Sequence, residues 1–387
     1  MLNVGIIGVG NAGNQVCALC AKKYPDIPVI AINCSENDMN TLPTSVTKIL
    51  IGDGKGAGKN REEAKKFLEN SIMEFVSDPE IKETLANLDL VFIVSSTGGG
   101  TGSGIAILLT NIIATVSQTY ENPVFPISVG ILPTINEALS TQANTLSYLT
   151  ELYEISESPT YMLYDNDKFS KLSTVETLTK VNERVVEDIN VLRCYYNAET
   201  TFNSIDERDA MTLITTPGRL VVGSLYDVKE KDCDDEETLE DKLLTELKKN
   251  AHVELQMDRI VNRTGLIVNL SESMISRFDT HIPKIQKMIG APIEEFEHVH
   301  INKDRKLPNN VFFIATGLTP VNDRIAKTKD RIDEINEAQK KKEDEMELDE
   351  SLLKGIQAKR VYRNSPSTKR DVPTQVDLSG IFNKFKK

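Results

Sequence analysis

Paired cysteines, clustered histidines, long apolar runs and basic charge are all scarce in this chain of 387 residues. Its five cysteines are odd in number and scattered, which argues against a disulfide framework; Cys17, Cys20, Cys34 and Cys194 fall in segments that read as helix or strand. They are expected to be reduced thiols in a cytoplasm. Cys17-x-x-Cys20 has no second pair at zinc spacing and sits in a helix after a glycine loop, so it reads as packing. Of the four histidines, His298-x-His300 has no third ligand nearby, and no metal site is expected. No apolar stretch approaches the roughly 20 residues of a spanning helix. The opening residues Met1-Leu2-Asn3-Val4-Gly5 lack a basic segment ahead of an apolar one, so neither a membrane span nor secretion is expected.

Acidic residues outnumber basic ones, 58 to 45, for a net charge of −13. The deficit is uneven, because residues 354–387 hold nine Lys and Arg against Asp371 and Asp377. That leaves a tail of about +7 and a body of about −20. An acidic body argues against nucleic acid wrapped around it, whereas a basic tail suits an acidic partner, DNA or a membrane surface.

What the chain does have is 40% hydrophobic residues, enough for a sizeable core and, at this length, two domains. Short apolar runs at 4–9, 29–33, 90–95, 124–132 and 160–164 alternate with amphipathic segments from about Asn11 and over 61–76. That alternation predicts parallel strands with crossover helices, a doubly wound α/β sheet whose ligand sits at the carboxyl ends of the strands. Leu178, Val181, Val185, Ile189 and Leu192, three or four apart without Gly or Pro, predict one long helix. Strand-like runs at 219–225, 265–270 and 311–316, with two helices between, predict a smaller α+β domain beyond it. Ile325, Ile332 and Ile335 lie at helical spacing in a charged surface helix, and the stretch 364–370 reads as a disordered linker. The expected divisions are 1–174 (nucleotide domain), 175–197 (central helix), 198–320 (second domain), 321–353 (C-terminal helix) and 354–387 (basic tail).

Ser96-Thr97-Gly98-Gly99-Gly100-Thr101-Gly102-Ser103-Gly104 places five glycines in nine positions between an apolar strand and an apolar helix expected to start at Ile105. Without Cβ atoms, consecutive N–H groups can line a concave anion site, and the helix adds the positive end of its dipole. Gly8-Val9-Gly10-Asn11-Ala12-Gly13 is a second such loop, compatible with a dinucleotide fingerprint. However, the next strand ends in Asn33, where NAD binding prefers Asp or Glu. Gly52-Asp53-Gly54-Lys55-Gly56-Ala57-Gly58-Lys59-Asn60 invites a Walker reading, but Asn60 stands in place of the Mg²⁺-binding Ser or Thr and no strand runs directly into the loop. It suits a γ-phosphate loop, or a plain surface turn.

Gly98-Gly99-Gly100-Thr101-Gly102-Ser103-Gly104 resembles the signature of the tubulin/FtsZ superfamily of GTPases, and the likeness continues in order over residues 1–320. The resemblance implies the superfamily fold, with GTP or GDP and Mg²⁺ as cofactors and no dedicated carboxylate cage for the metal. It assigns nucleotide contacts to Gly10, Asn11, Ala12, Asn14 and Asn33; to Gly56, Ala57 and Gly58 near the γ-phosphate; and to Gly98, Gly99, Gly100, Thr101, Gly102 and Ser103. Glu137, in the segment 131–137, would pass the ribose, and Asn166 and Asn182 would offer carboxamides to guanine. Thr141 stands where FtsZ proteins carry a ribose-side arginine.

Hydrolysis needs a group to orient water, and carboxylates suit this. The run 202–209 resembles the family's synergy loop, whose acids here are Asp206 and Asp209; read without the resemblance, an Asp-rich turn is a helix cap. In the family this loop completes the site of the next subunit, which implies a longitudinal homopolymer with assembly-dependent GTPase activity. Departures from bacterial division proteins at 32–38 and 55–61 make the chain more similar to the TubZ group of plasmid- and phage-encoded filaments. That likeness implies a cytoplasmic filament moving DNA indirectly, its tail recruiting a DNA-binding adaptor. Leu378, Ile381, Phe382 and Phe385 would form one apolar face with Lys384, Lys386 and Lys387 beside it, suited to a partner groove, a membrane surface or a charged tether. An FtsZ-like division filament and a non-polymerising nucleotide-binding regulator are the alternatives.

Overall fold

The computed structural model describes residues 1–154, 160–194, 204–233, 236–303 and 308–352. The apolar runs become strands because a parallel sheet between helix layers covers each of them on both faces. β1 (Val4–Val9) leads into α1 (Gly10–Lys23), then β2 (Val29–Asn33), α2 (Glu36–Asn40), β3 (Thr47–Leu50), α3 (Arg61–Ser77), α4 (Pro79–Ala86) and β4 (Leu90–Ser96). Next come α5 (Thr101–Val116), β5 (Phe125–Leu132), α6 (Leu139–Glu154), β6 (Thr160–Asp165) and α7 (Thr174–Cys194). The second half has α8 (Glu207–Ile214), β7 (Gly218–Leu225), α9 (Glu236–Lys249), β8 (Ile260–Ser271), α10 (Glu272–Phe278), α11 (Ile282–Gln286), β9 (Ala291–Asn302), β10 (Asn310–Leu318) and α12 (Asn322–Leu352).

All ten strands join one sheet in the order β3-β2-β1-β4-β5-β6-β7-β10-β8-β9. From β3 to β7 every pairing is parallel. β10 runs antiparallel between β7 and β8, and β9 lies parallel to β8. The second half therefore extends the first sheet, through the short pairing Thr160↔Gly218 and Tyr161↔Arg219. Residues Met1–Arg331 form one compact unit that holds the hydrophobic core, and Ile332–Lys387 form another, whose described part, 332–352, is helical. The tail residues Leu378, Ile381, Phe382 and Phe385 lie outside the described residues.

Elements with weak local signals are the ones the sequence leaves unannounced. β3 is a half-exposed strand, and α4 is a short helix begun by Asp78, which accepts from Glu80 N and Ile81 N, and by Pro79. The expectation that no segment is long and apolar enough to cross a membrane needs correction. Thr101–Thr119 is, by length and composition, and most of it is buried inside the protein, as befits a core helix covering β4 and β5. Cys17 and Cys20 are buried free thiols of α1; Cys17 Sγ lies 3.5 Å from Ile30 O, and burial pushes the Cys20 thiol up to about 12.

α7 is about 30 Å long at 1.5 Å per residue. Val181, Val185, Ile189 and Leu192 lie in the core, but Leu178 is 42% exposed at its start. The charged residue Asp188 is buried with them. Asp188 receives the Tyr164 hydroxyl at 2.8 Å, stands 2.6 Å from Arg184 Nη2 and 3.0 Å from His252 Nε2, while Arg184 donates to Val222 O. Burial holds His252 below its ordinary pKa, so the ring is neutral and Arg184 is the cation that matches Asp188. Asp188→Ala is expected to cost about 3–5 kcal/mol because it strands a buried charge. Tyr164→Phe, which removes one bond to that carboxylate, is expected to cost about 1.5–3 kcal/mol. Urea denaturation of both variants checks the order.

Candidate functional site

The loops that follow β1, β2, β4, β5 and β6 meet at the carboxyl edge of the sheet. α1 opens at Gly10, whose φ of +71° favours glycine, and a Cβ there would stand 2.9 Å from Gly102 N. α5 opens at Thr101, four residues before the expected start, so half of the glycine run is its first turn. None of those glycines is left-handed. They are needed for close approach instead: a Cβ on Gly100 would lie 2.8 Å from Lys59 Cα, and one on Gly104 2.8 Å from Arg61 O. Gly99 differs, because nothing lies within 4 Å of its missing Cβ, which would project into open space.

That space is a cavity of about 330 Å³ whose walls include Gly10, Asn11, Ala12, Gly99, Thr101 and Gly102. Asn33, Gly56, Ala57 and Gly100 line it too, together with Ser35 and Asp38. Two helix N-termini and several glycine N–H groups therefore face one hollow, which is the arrangement that binds phosphate. A second cavity of about 600 Å³ shares Ser96 with the first and is walled by Thr134, Glu137, Asn166, Leu172, Thr177 and Leu178. The pair makes an extended cleft with a backbone-rich end and a side-chain-rich end.

Several sequence-assigned residues are not on its walls. Asn14 is fully buried in α1; with its amide nitrogen turned to Gly8 O and Gly10 O at 3.0 and 3.1 Å, its oxygen accepts from Asn33 Nδ2. It braces two loops. Asn33 lines the cavity but also accepts from Cys34 N at 2.8 Å and Ser35 N at 3.2 Å, fixing the turn after β2. Ser103 is buried, its hydroxyl bonded to Gly99 O, and Gly98 packs on Thr141. Gly58 has a φ of +55° at an exposed turn, and half-buried Asn182 sits one turn beyond Leu178 on α7. Thr141 lies beneath the glycine loop, 3.4 Å from Lys59 Nζ.

At the side-chain-rich end, Asn166 is 8% exposed and its Oδ1 has no hydrogen-bond partner. Asn166 lines the second cavity, and its Oδ1, closed off from solvent, is a buried acceptor without a donor. Glu137 accepts from Thr134 N at 2.9 Å, closing its own loop.

Asp206 and Asp209 form a capping box at the start of α8: Asp209 N donates to Asp206 Oδ1 at 2.9 Å and Asp206 N to Asp209 Oδ2 at 3.3 Å. Neither lines the cleft. α7 begins at the cleft with Thr174 and Thr177 and ends where Arg193 pairs with Asp26, beyond the far end of α1. The two acids follow that far end.

Sequence reading missed the residues that brace the loops. Asn144 Nδ2 donates to Lys59 O, Gly98 O and Gly99 O at 3.1, 3.3 and 3.0 Å, and Gln142 Nε2 to Thr134 O at 2.8 Å. Arg61 reaches Asn144 O and pairs with Glu151 at 2.5 Å. The available signal was the polar face of α6, where buried Thr141, Gln142 and Thr145 would be wasted on a purely apolar contact.

Residues 3–174 match the description "Tubulin/FtsZ family, GTPase domain". Curated relatives include the tubulin-like protein CetZ2 of Haloferax volcanii, 29% identical over 199 residues (48% of this chain, 52% of that protein). The cell division protein FtsZ of Aquifex aeolicus is 33% identical over 181 residues (46% and 45%). The tubulin-like protein TubZ of Clostridium botulinum C phage is 24% identical over 331 residues (81% and 77%). The chain spans about half the length of the first relatives it matches. The solved structure of Clostridium botulinum phage c-st TubZ superposes with a TM-score of 0.67 at 19% identity, covering 86% of this chain and 97% of that one. CetZ2 from Haloferax volcanii, solved as a GTPγS-bound protofilament, gives 0.69 at 17% identity, covering 87% and 100%. These superpositions match the fold expected from the sequence.

The missing Cβ atoms give a test. Gly99→Ala is expected to change stability by less than about 0.5 kcal/mol, yet to weaken guanine-nucleotide binding about tenfold by filling the hollow. Gly100→Ala is expected to cost about 1–3 kcal/mol of folding free energy through its clash with Lys59 backbone. Denaturation and fluorescent-nucleotide titration of the same preparations check both.

Proposed function

We propose, from the premise that residues 3–174 form a GTPase domain of the tubulin/FtsZ family, that this chain binds GTP in the two-ended cleft and hydrolyses it within a homopolymer. The observation that carries the reading is the cleft itself: two helix N-termini and a Cβ-free hollow at one end, and a buried unpaired carboxamide oxygen at the other. The triphosphate would lie against Gly10, Asn11, Ala12, Gly56, Ala57 and the glycine run around Thr101. The ribose would pass Glu137, and guanine would meet Asn166, with Asn182 further along α7. Among the described residues no group of three or more His, Cys, Asp or Glu could cage a metal. Mg²⁺ would therefore be held by the phosphates and water, neutralising phosphate charge.

Asp206 and Asp209 stand away from the cleft in their own subunit, so they would act on water in the site of a neighbouring one. The capping box supports this role, since each cap bond engages one carboxylate oxygen and fixes the direction of the other. Of the sequence relatives named above, the phage TubZ protein aligns over the widest part of this chain, which favours a cytoplasmic filament that moves plasmid or phage DNA. The tail beyond residue 353, outside the described residues, would recruit the DNA-bound adaptor. Matches to division proteins keep an FtsZ-like role as the second reading.

GTP turnover should show a threshold protein concentration that coincides with the appearance of pelletable polymer; turnover strictly proportional to concentration, with nothing in the pellet, would refute assembly-dependent hydrolysis. Asp206→Asn with Asp209→Asn retains cap acceptors and so should fold and bind GTP normally. Its turnover should fall by about two orders of magnitude or more.

A further inference from the structure

Arg324, on the first turn of α12, is 5% exposed and contacts two loops of the cleft at once. Its Nε donates to Asp165 Oδ2 at 2.9 Å, Nη2 to Pro133 O at 2.6 Å, and Nη1 to Thr328 Oγ1 at 2.7 Å. Asp167 stands 3.8 Å from Nη2, and both of its carboxylate oxygens accept from Ile135 N at 3.1 Å. Asp165 in turn accepts from Asp167 N at 3.0 Å. One guanidinium thus joins the loop after β5, which carries Glu137, to the loop after β6, which begins at Asn166.

The cost of this arrangement argues for its purpose. A buried Arg–Asp pair is no more stabilising than apolar packing of the same volume, so its distinctive contribution is geometry. A planar fork with three separate partners fixes the distance and angle between the two loops in a way that a point charge or a methyl group cannot. Both loops belong to the side-chain-rich end of the cleft, and the phosphate end has separate supports in Asn144 and Asn14.

We propose that Arg324 is a positioning residue for nucleoside recognition, through which docking of the first turns of the C-terminal helix and nucleotide affinity are linked. The proposal rests on the nucleotide reading above. Linkage makes it reciprocal: a bound nucleoside that holds loops 133–137 and 165–169 in place also holds Arg324 and its helix turn.

The test uses the full chain below the concentration at which it pellets, with GTP and inorganic tripolyphosphate as probes. Arg324→Met should weaken GTP binding about tenfold, leave tripolyphosphate binding within about twofold, and speed hydrogen exchange at the Ile135 and Asp167 amides without nucleotide. Arg324→Lys should recover part of each change, because it restores charge but not the fork. If Arg324→Met folds poorly, Thr328→Val removes only the two helix-side bonds, the one from Arg324 Nη1 and the one to Arg324 O, and should shift the same readouts in the same direction. Unchanged GTP affinity and unchanged exchange would overturn the proposal, as would equal weakening of both probes with a lowered melting temperature, the mark of a merely structural role. If the unsubstituted chain binds neither probe, the nucleotide reading and the linkage both fail, and exchange at Ile135 alone decides whether the clamp exists.

Discussion

In a parallel sheet ordered β3-β2-β1-β4-β5-β6, the chain leaves β1 toward one edge and β4 toward the other, so the helices that follow diverge and a crevice opens above the junction. α1 and α5 start on either side of that crevice, a few ångströms apart. Everything at the phosphate end depends on how closely these starts approach. Gly10 faces Gly102 at a separation that leaves no room for a Cβ, and a Cβ on Gly13 would stand 2.1 Å from Val94 O, so α1 can lie flat on β4 only as glycine allows. The positive ends of two helices converge there, and the concentration of N–H groups follows from backbone packing rather than from any charged side chain.

This dependence explains what could be read from the sequence. The strands and the glycine loops are local signals, and both survive translation into three dimensions at nearly the same residues. The glycines work in two ways: the run at 98–104 serves close packing, whereas the left-handed glycines of the loops around the cleft are Gly10, Gly52, Gly54, Gly56 and Gly58. Residues whose partners are distant in the chain were illegible. Asn144 meets Gly98 across 46 positions and Arg324 meets Pro133 across 191, and nothing in the neighbourhood of either residue announces the partner. Leu178 shows the converse error. Its spacing matches the core positions of α7, but the helix emerges at its first turns and puts that side chain on the cleft rim.

Asp206 and Asp209 carry a structural role that is compatible with the chemical one proposed for them. As a capping box they stabilise α8 by satisfying exposed N–H groups, and buried Ile205 donates to His298 Nδ1 at 3.3 Å, tying the turn to β9. His298, which sequence spacing raised as half of a metal pair, is thereby a brace for the acidic turn. A cap also pre-orders its carboxylates, so on the proposed reading the cost of positioning them would be met during folding and not again when a second subunit arrives.

The two ends of the cleft divide affinity from selectivity on physical grounds. Backbone N–H groups and helix dipoles recognise charge and are indifferent to the base attached beyond it. Selectivity has to come from side chains, and the unpaired Oδ1 of Asn166 is the sharpest one available. Leaving a buried acceptor unpaired costs about 1–3 kcal/mol, and a ligand recovers it only where the Asn166 side chain turns that oxygen to the cleft and meets an N–H there. On the proposed reading guanine does so with its N1–H and N2–H groups, whereas the corresponding ring edge of adenine offers an acceptor at N1 and leaves the penalty standing. The discrimination is only as good as the placement of that one oxygen, and Asn166 directly follows Asp165, whose carboxylate is held by Arg324. On that reading selectivity at the cleft would pass through the first turn of the C-terminal helix, whereas charge recognition at the other end would rest on separate supports.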